Sequence, residues 1–490
     1  MKYPKLVENH MFEMEGKQFI FDVYKSNLYA LDSLCYEVAK LCNGDDIQQV
    51  YKTVSAKVAL KESEFTEIID ELSELGLIFE KDNMPKYISE FNPDIIPDDY
   101  PIYALALHVV HDCNLRCAYC YGEGGSYGGV RKPMSKEVAI RAIDFLLEQG
   151  KDQKEYSVIF FGGEPLMNFE LIKVVTQYCK AKEQEKDIKI YLGMTTNGTL
   201  LTEEVLDFLD ENDISVGVSI DGPQEVNDTC RKCVDGSGSF AKILPNIKEI
   251  IRRRDGRVTA RVTLTKKHLN MYDIAQYMEE LGFRKVNVAL VSADEKSPLA
   301  IQKEDYQTIS NEYKKIAEKT FQSIKNRERF FTNIFTSHLR ILDNKNPLIF
   351  NCGAGRKYMA VSPEGDLYLC HRFAGENQYK MGNVYSGIIA ERRKEVFRAH
   401  VDAREECSEC WARYLCGGGC FYDSYEKGGD LMSAPEDYCD SYRDLYEITM
   451  CLYWKIKELN PEILETLFEE PGKNYFDLLD TGSAIDNIEE

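Results

Sequence analysis

"HDCNLRCAYCYGEGG", His111 to Gly125, places three cysteines within eight residues and follows them with a glycine-rich run. Cys113, Cys117 and Cys120 have C-x3-C-x2-C spacing. A tetrahedral zinc site needs a fourth Cys or His, and His111 falls in the apolar run before the loop rather than beyond it. Three thiolates are one short of a closed site, so the loop raises the question of what takes the fourth position. The surrounding pattern is as informative. "YALALHVV" reads as a strand leading into the loop, and five strand-like segments follow: "YSVIFFGG", "IKIYLGMTTNG", "ISVGVSID", "RVTARVTLT" and "RKVNVALVS". Helical segments such as "KEVAIRAIDFLLEQG" and "FELIKVVTQYCKAK" lie between them. Six β/α units predict an α/β fold with a parallel sheet, open or curled into a partial (β/α)6 TIM barrel over residues 101–300. In either form the active site belongs at the carboxyl ends of the strands, and the cysteine loop directly follows the first of them.

The chain of 490 residues is long enough for several domains, and 44% apolar with 29% charged residues is an ordinary folded composition. Its net charge of −22 argues against nucleic acid as a partner, which requires a basic face. The polar N-terminus and the lack of a long apolar run argue against a signal peptide and a membrane span, so a cytoplasmic location is expected. In a large cytosolic chain, 16 cysteines read as metal ligands rather than a disulfide frame. Ten of them fall into two spaced constellations, which favours iron–sulfur ligation.

Residues 1–85 read as a small α+β unit. "MFEMEGKQFIFDVYK" alternates around Gly16 like a hairpin. "ALDSLCYEVAKLC" has helical spacing from a cap at Asp32, and "SEFTEIIDELSELGLIF" is an amphipathic helix running into a strand at Leu77–Phe79. The order suggests a winged helix-turn-helix-like fold. Its acidic helices disfavour DNA binding and favour a guest peptide strand on the hairpin edge. Residues 86–100 read as a proline-containing linker, 301–345 as a helical bridge, and 446–490 as a C-terminal helix with an acidic tail ending "DTGSAIDNIEE". The cysteine- and glycine-rich stretch between them, 346–445, has too little periodicity to bury a core alone and is expected to depend on metal.

The first constellation resembles the radical S-adenosylmethionine (SAM) enzymes, whose motif is this cysteine spacing with an aromatic, here Tyr119, before the last cysteine. The resemblance implies a [4Fe–4S] cluster on Cys113, Cys117 and Cys120 whose fourth iron takes the amino and carboxylate groups of SAM. It extends to "FFGGEP", where Gly162 and Gly163 would let backbone approach SAM and Glu164 would accept from its ammonium. It extends further to Thr196 and Asn197 in "TTNG", to Ser219 in "SIDG", and to Arg261 facing the SAM carboxylate. A structural zinc or redox cluster is the alternative.

The second constellation resembles the SPASM domain of peptide- and protein-modifying radical SAM enzymes. Carried over by position, Cys407, Cys410, Cys416 and Cys439 would ligate one auxiliary [4Fe–4S] cluster, and Cys352, Cys370 and Cys420 another, three clusters in all. "CGAGRKYMAVSPEG" lacks the eighth cysteine that closes the nearer cluster in some relatives, so that iron is open to a substrate thiolate. Water, Cys230 or Cys233 are the other candidates for the position. His371, beside Cys370, can tune the cluster by hydrogen bonding or serve structure alone, while Cys35, Cys42, Cys179 and Cys451 read as core residues.

The N-terminal "YALDSLCYEVAKLCNG…ELSELGLI" resembles the leader-recognition element of ribosomal peptide maturases. Together these resemblances imply a maturase that installs Cys-derived thioether crosslinks, as in sactipeptide- and ranthipeptide-forming enzymes. It would draw electrons from a reductase, flavodoxin or ferredoxin. Carbon–carbon cyclophane formation and formylglycine formation are alternatives within the class. A non-enzymatic iron–sulfur regulator or electron carrier is the alternative outside it.

Overall fold

The structure, a computed structural model, describes residues 1–464 except 86–90, 98, 327, 329–331 and 333. The expected acidic tail and part of the expected linker therefore lie outside the described residues. After a short strand β1 (Pro4–Leu6), the predicted hairpin forms from β2 (Asn9–Met14) and β3 (Lys17–Asp22), paired from Asn9↔Asp22 to Met14↔Lys17. Glu15 and Gly16 both have positive φ, the backbone a tight two-residue hairpin requires. A third strand, β4 (Asn27–Leu31), pairs antiparallel with β3, an addition to the expected pattern. Helix α1 (Ser33–Leu41) begins where the Asp32 carboxylate accepts from the Leu34 and Cys35 amides, each at 2.8 Å. Then come α2 (Ile47–Ser55), α3 (Glu62–Glu74) and β5 (Ile78–Glu80), which returns to pair with β1.

The two-residue period of β3 divides the cores. Ile20 packs with Val38, Phe65 and Ile69 of the helices, whereas Phe19 and Phe21 join the main core from the opposite face. There Phe19 meets Trp454 and Phe21 meets Trp411 edge-on.

The central part follows the predicted alternation: β6 (Ala104–His111), a two-residue strand β7 (Lys132–Pro133), α4 (Lys136–Gln149), β8 (Glu155–Gly162), α5 (Phe169–Lys186), β9 (Lys189–Thr196), α6 (Glu203–Glu211), β10 (Ser215–Ser219), α7 (Gln224–Cys230), α8 (Phe240–Arg253), β11 (Thr259–Leu264), α9 (Met271–Leu281) and β12 (Lys285–Leu290). Six of these strands lie parallel in chain order, β6-β8-β9-β10-β11-β12, while β7 pairs antiparallel with the end of β6. All eight residues of β6 are buried, as expected of a parallel strand covered on both faces.

Beyond the bridge helices α10 (Tyr306–Lys325) and α11 (Thr336–Asn344), the sheet continues. Strand β13 (Tyr358–Val361) pairs parallel with β6, and β14 (Asp366–Tyr368), β15 (Lys380–Asn383) and β16 (Gly387–Ile388) follow antiparallel. The whole is an α/β fold with a large mixed sheet. The cysteine-rich region is thus not held by metal alone: Met359, Val361, Leu367 and Phe373 belong to the same core as the parallel strands. Short helices α12 (Ala390–Arg398), α13 (Glu405–Ser408), α14 (Arg413–Cys416) and α15 (Phe421–Gly428) lead to the long α16 (Glu436–Leu459), packed on α10 and α11. Among the described residues no helix is long and apolar enough to cross a membrane.

Candidate active site

The cysteine loop leaves the carboxyl end of β6, where the strand register breaks between His108 and Val110. Cys113 Sγ accepts from the Leu115 amide (3.3 Å) and Asn197 Nδ2 (3.6 Å), and Cys120 Sγ accepts from the Gly124 amide (3.4 Å). The three thiols lie close enough to act on one another electrostatically. Burial pushes the Cys113 thiol up to about 11 and that of Cys117 to about 12, so both stay protonated until a metal replaces the proton. Among the described residues no three His, Cys, Asp or Glu side chains converge on a single ion. The donor set fits a thiolate-bridging cluster, which separates its ligands more widely than a mononuclear ion.

The glycines beside the loop serve backbone packing. A Cβ on Gly163 would stand 2.0 Å from the Asp112 carbonyl oxygen, and one on Gly162, at positive φ, 2.3 Å from the Val110 carbonyl oxygen. These glycines let the cysteine loop pack directly against the end of β8. Glu164 is tied into the same framework. Its carboxylate is fully buried and accepts from the Leu166 amide (3.1 Å), the Thr196 hydroxyl (2.8 Å) and the Asn197 amide (2.7 Å). It brackets the ends of β8 and β9, and burial raises its pKa to about 7. Asn197 Nδ2 donates to Asn114 Oδ1 as well, tying "TTNG" to the loop.

The fourth and fifth strands supply the opposite wall. Ser219 and Arg261 stand in register on β10 and β11. The Arg261 charge bears on Tyr121 and His371, so it faces the same interior. The Tyr119 hydroxyl donates to Asp221 Oδ2 (2.7 Å) and accepts from Arg231 Nη1 (2.9 Å). Asp221 and Arg231 were not predicted. Asp221 lies inside the quoted "SIDG", but Arg231 carries no signal apart from its place between two cysteines. Cys230 and Cys233 are also corrected. They pack on the first cysteine loop, where the Cys230 carbonyl accepts from the Ala118 amide (2.9 Å) and Cys233 bridges to Leu115, not on the second constellation. The remaining cysteines Cys35, Cys42, Cys179 and Cys451 are buried.

The seven C-terminal cysteines sort into two neighbourhoods. Cys352, Cys370 and Cys420 act on one another, and Cys407, Cys410, Cys416 and Cys439 form the other set. Burial again raises the thiols of Cys370 and Cys439, each to about 12. Arg372 donates to Cys420 Sγ (3.4 Å) and Asp423 Oδ1 (3.0 Å). His371 then connects the three-cysteine set to the barrel mouth. Its Nδ1 meets the Tyr358 hydroxyl at 2.7 Å, and its ring lies 4.7 Å from Phe161 and 6.2 Å from Tyr121. Burial lowers its pKa to about 3, leaving the ring neutral.

Two family models match the two cysteine regions: the radical SAM superfamily over residues 107–268, and the SPASM iron-sulfur cluster-binding domain over 352–411. The chain carries radical SAM and SPASM domains. These domains imply SAM and [4Fe–4S] clusters as cofactors. Among relatives of this chain is a cysteine-type anaerobic sulfatase-maturating enzyme of Clostridium perfringens, 26% identical over 71% of this chain and 96% of its own length. Another is a radical SAM cyclopropyl synthase of Paramaledivibacter caminithermalis, 23% identical over 78% and 82% respectively. A solved structure of similar fold, anSMEcpe with bound AdoMet and Kp18Cys peptide, has a TM-score of 0.62 at 23% identity, covering 73% of this chain and 99% of its own.

Proposed function

We propose that this protein binds the leader of a ribosomally made precursor peptide on residues 1–85 and installs Cys-derived thioether crosslinks in the peptide core. On this reading, residues 101–300 hold Cys113, Cys117 and Cys120 as ligands of the SAM-binding cluster, and residues 346–445 hold the two auxiliary clusters. The carrying observation is the unequal sorting of the C-terminal thiols, with the three-cysteine set abutting the barrel mouth through His371, Phe161 and Tyr121. When bound, SAM with its cluster supplies a hydrogen-abstracting radical, and an auxiliary cluster on three protein thiolates supplies a Lewis-acidic corner for an external thiolate.

The protein's own part is to hold and shield. Tyr358 fixes the His371 ring through Nδ1, and Tyr121, Phe161 and Tyr127 give the interior an apolar lining that keeps water from a reactive substrate. Arg261 offers a fixed charge for a carboxylate on the opposite wall. At the N-terminus, the three-stranded meander and three helices support a winged helix-turn-helix-like recognition element. The outer edge of β2 borders a cavity of about 370 Å³ between the hairpin turn and helices α10 and α16, lined by Glu13, Met14, Lys314, Ile448 and Lys455 among others. An extended leader fits such an edge by strand addition, and tethering raises the local concentration of the core peptide.

Formylglycine formation is the second reading, favoured by the sulfatase-maturating relatives. Their match covers nearly all of their own length but 71% of this chain, which thus carries additional sequence. Anaerobic turnover with SAM, dithionite, a flavodoxin or ferredoxin donor, and the cognate cysteine-containing precursor separates the two. Thioether formation yields 5′-deoxyadenosine and a peptide two hydrogens lighter per crosslink, with one thiol lost and sulfur retained. Loss of sulfur indicates formylglycine, and loss of hydrogen with every thiol still alkylatable indicates a carbon–carbon link.

A further inference from the structure

We propose that Arg231 is the charge-compensating residue of the first cysteine loop: its guanidinium, buried beside Cys117, favours the reduced state of a cluster held there and so sets its reduction potential. The inference rests on Cys113, Cys117 and Cys120 being the cluster ligands and is independent of the peptide product.

Arg231 is 5% exposed and is carried beneath the loop by backbone pairing on both sides. The Arg116 amide donates to the Lys232 carbonyl (2.7 Å) and the Ala118 amide to the Cys230 carbonyl (2.9 Å), so residues 230–232 run alongside 116–118. The Ser239 amide (3.2 Å) and hydroxyl (2.7 Å) both donate to the Arg231 carbonyl, fixing the segment from behind. From this bracket Nη1 reaches the Tyr119 hydroxyl (2.9 Å), while Nε is buried with no hydrogen-bond partner among the described residues. A guanidinium so enclosed needs a nearby anion to offset its lost hydration. The negative groups within its field are Asp221, Glu164 and, once a cluster has displaced its proton, the Cys117 thiolate. Asp221 shares the Tyr119 hydroxyl and is held by the Thr263 amide at 3.0 Å. As a carboxylate it adds to the negative charge of the cluster thiolates, which the Arg231 guanidinium offsets.

A four-iron core on three thiolates carries one net negative charge when oxidised and two after taking one electron from an external low-potential donor, and cluster potential follows local charge. A fixed cation therefore favours uptake of that electron, and Asp221 opposes it. Arginine suits the position because it cannot shed its proton to escape burial.

The test is an anaerobic redox titration of the full-length reconstituted protein with dithionite and mediators. It follows by electron paramagnetic resonance the reduced-cluster signal that changes on adding SAM. At matched iron and sulfide content, Arg231→Gln should lower the reduced-to-oxidised ratio at fixed potential by at least about tenfold, ~59 mV for one electron. Arg231→Lys should stay near wild type, and Asp221→Asn should move the ratio the opposite way. A fully loaded Arg231→Gln protein with the wild-type potential overturns the proposal, as does a Lys variant shifted as far as Gln. If Arg231→Gln fails to retain its cluster, Asp221→Asn decides, and an unmoved potential there refutes the role. Survival of the SAM-responsive signal in Cys117→Ala would instead refute the ligand assignment.

Discussion

Glu164 offers a test of the site's architecture that needs no metal. Its carboxylate is fully buried, its two oxygens accept three protein hydrogen bonds, and burial raises its pKa from 4.5 to about 7. Below pH 4.5 the group is protonated in folded and unfolded chains alike and contributes no pH dependence. Between 4.5 and about 7 the folded chain holds a proton that the unfolded chain has released, so native stability falls as pH rises. Above 7 the penalty is constant. At about 1.4 kcal/mol per pH unit, the full change is roughly 3 kcal/mol. Glu164→Gln removes this titration but turns an NH2 toward either the Asn197 amide or the Leu166 amide, a donor-against-donor contact costing about 1–3 kcal/mol at every pH. The variant is therefore expected to be most destabilised near pH 5 and to approach or exceed wild-type stability by pH 8. Hydrogen exchange by mass spectrometry reads this locally, on peptides covering 160–166 and 195–199 of the metal-free protein under argon. A wild-type-minus-variant difference that is flat with pH, or that grows as pH rises, would refute the burial argument.

Four further outcomes follow from named contacts. Gly163→Ala drives a Cβ into the Asp112 carbonyl, a strain of roughly 3 kcal/mol, and reconstitution should leave the first loop without its cluster, seen as lost SAM-responsive resonance. Tyr119→Phe removes the hydroxyl shared by Asp221 and Arg231 and should cost about 1–3 kcal/mol, measured as faster iron loss to a chelator. Arg413 forks onto Glu8 at 2.5 and 2.7 Å, and Arg413→Ala should lower protection of the 9–31 meander by roughly 2 kcal/mol in hydrogen exchange. Cys420→Ala should remove about one third of the iron and abolish crosslinking while SAM cleavage without peptide persists, measured by iron assay and 5′-deoxyadenosine chromatography.

The strand order was readable because β6 and its five parallel followers are long apolar runs bounded by helices with regular spacing, as in β8 with "YSVIFF". The third strand of the N-terminal meander was not, since Asn27–Leu31 is short and only partly buried. Nor was the joining of β13 to β6, which depends on contacts 254 residues apart in sequence, as between Ala104 and Tyr358. Cysteine spacing identified the thiol groups because ligation chemistry constrains local sequence. The bonds of Glu164 to Thr196 and Asn197 and the packing of Gly163 on Asp112 were not legible, because a motif tells which residue types recur but not which neighbours the fold brings to them. Arg231 escaped notice because a lone arginine in a loop has no periodic signature, and only the fold brings it beneath Cys117.

The most direct measurement is electron–nuclear double resonance on the reduced, anaerobically reconstituted protein with SAM labelled by nitrogen-15 at its amino group. The account predicts a resolved coupling between that nitrogen and the cluster, absent in Cys117→Ala. A reduced, fully loaded protein that shows no coupling to SAM would contradict it.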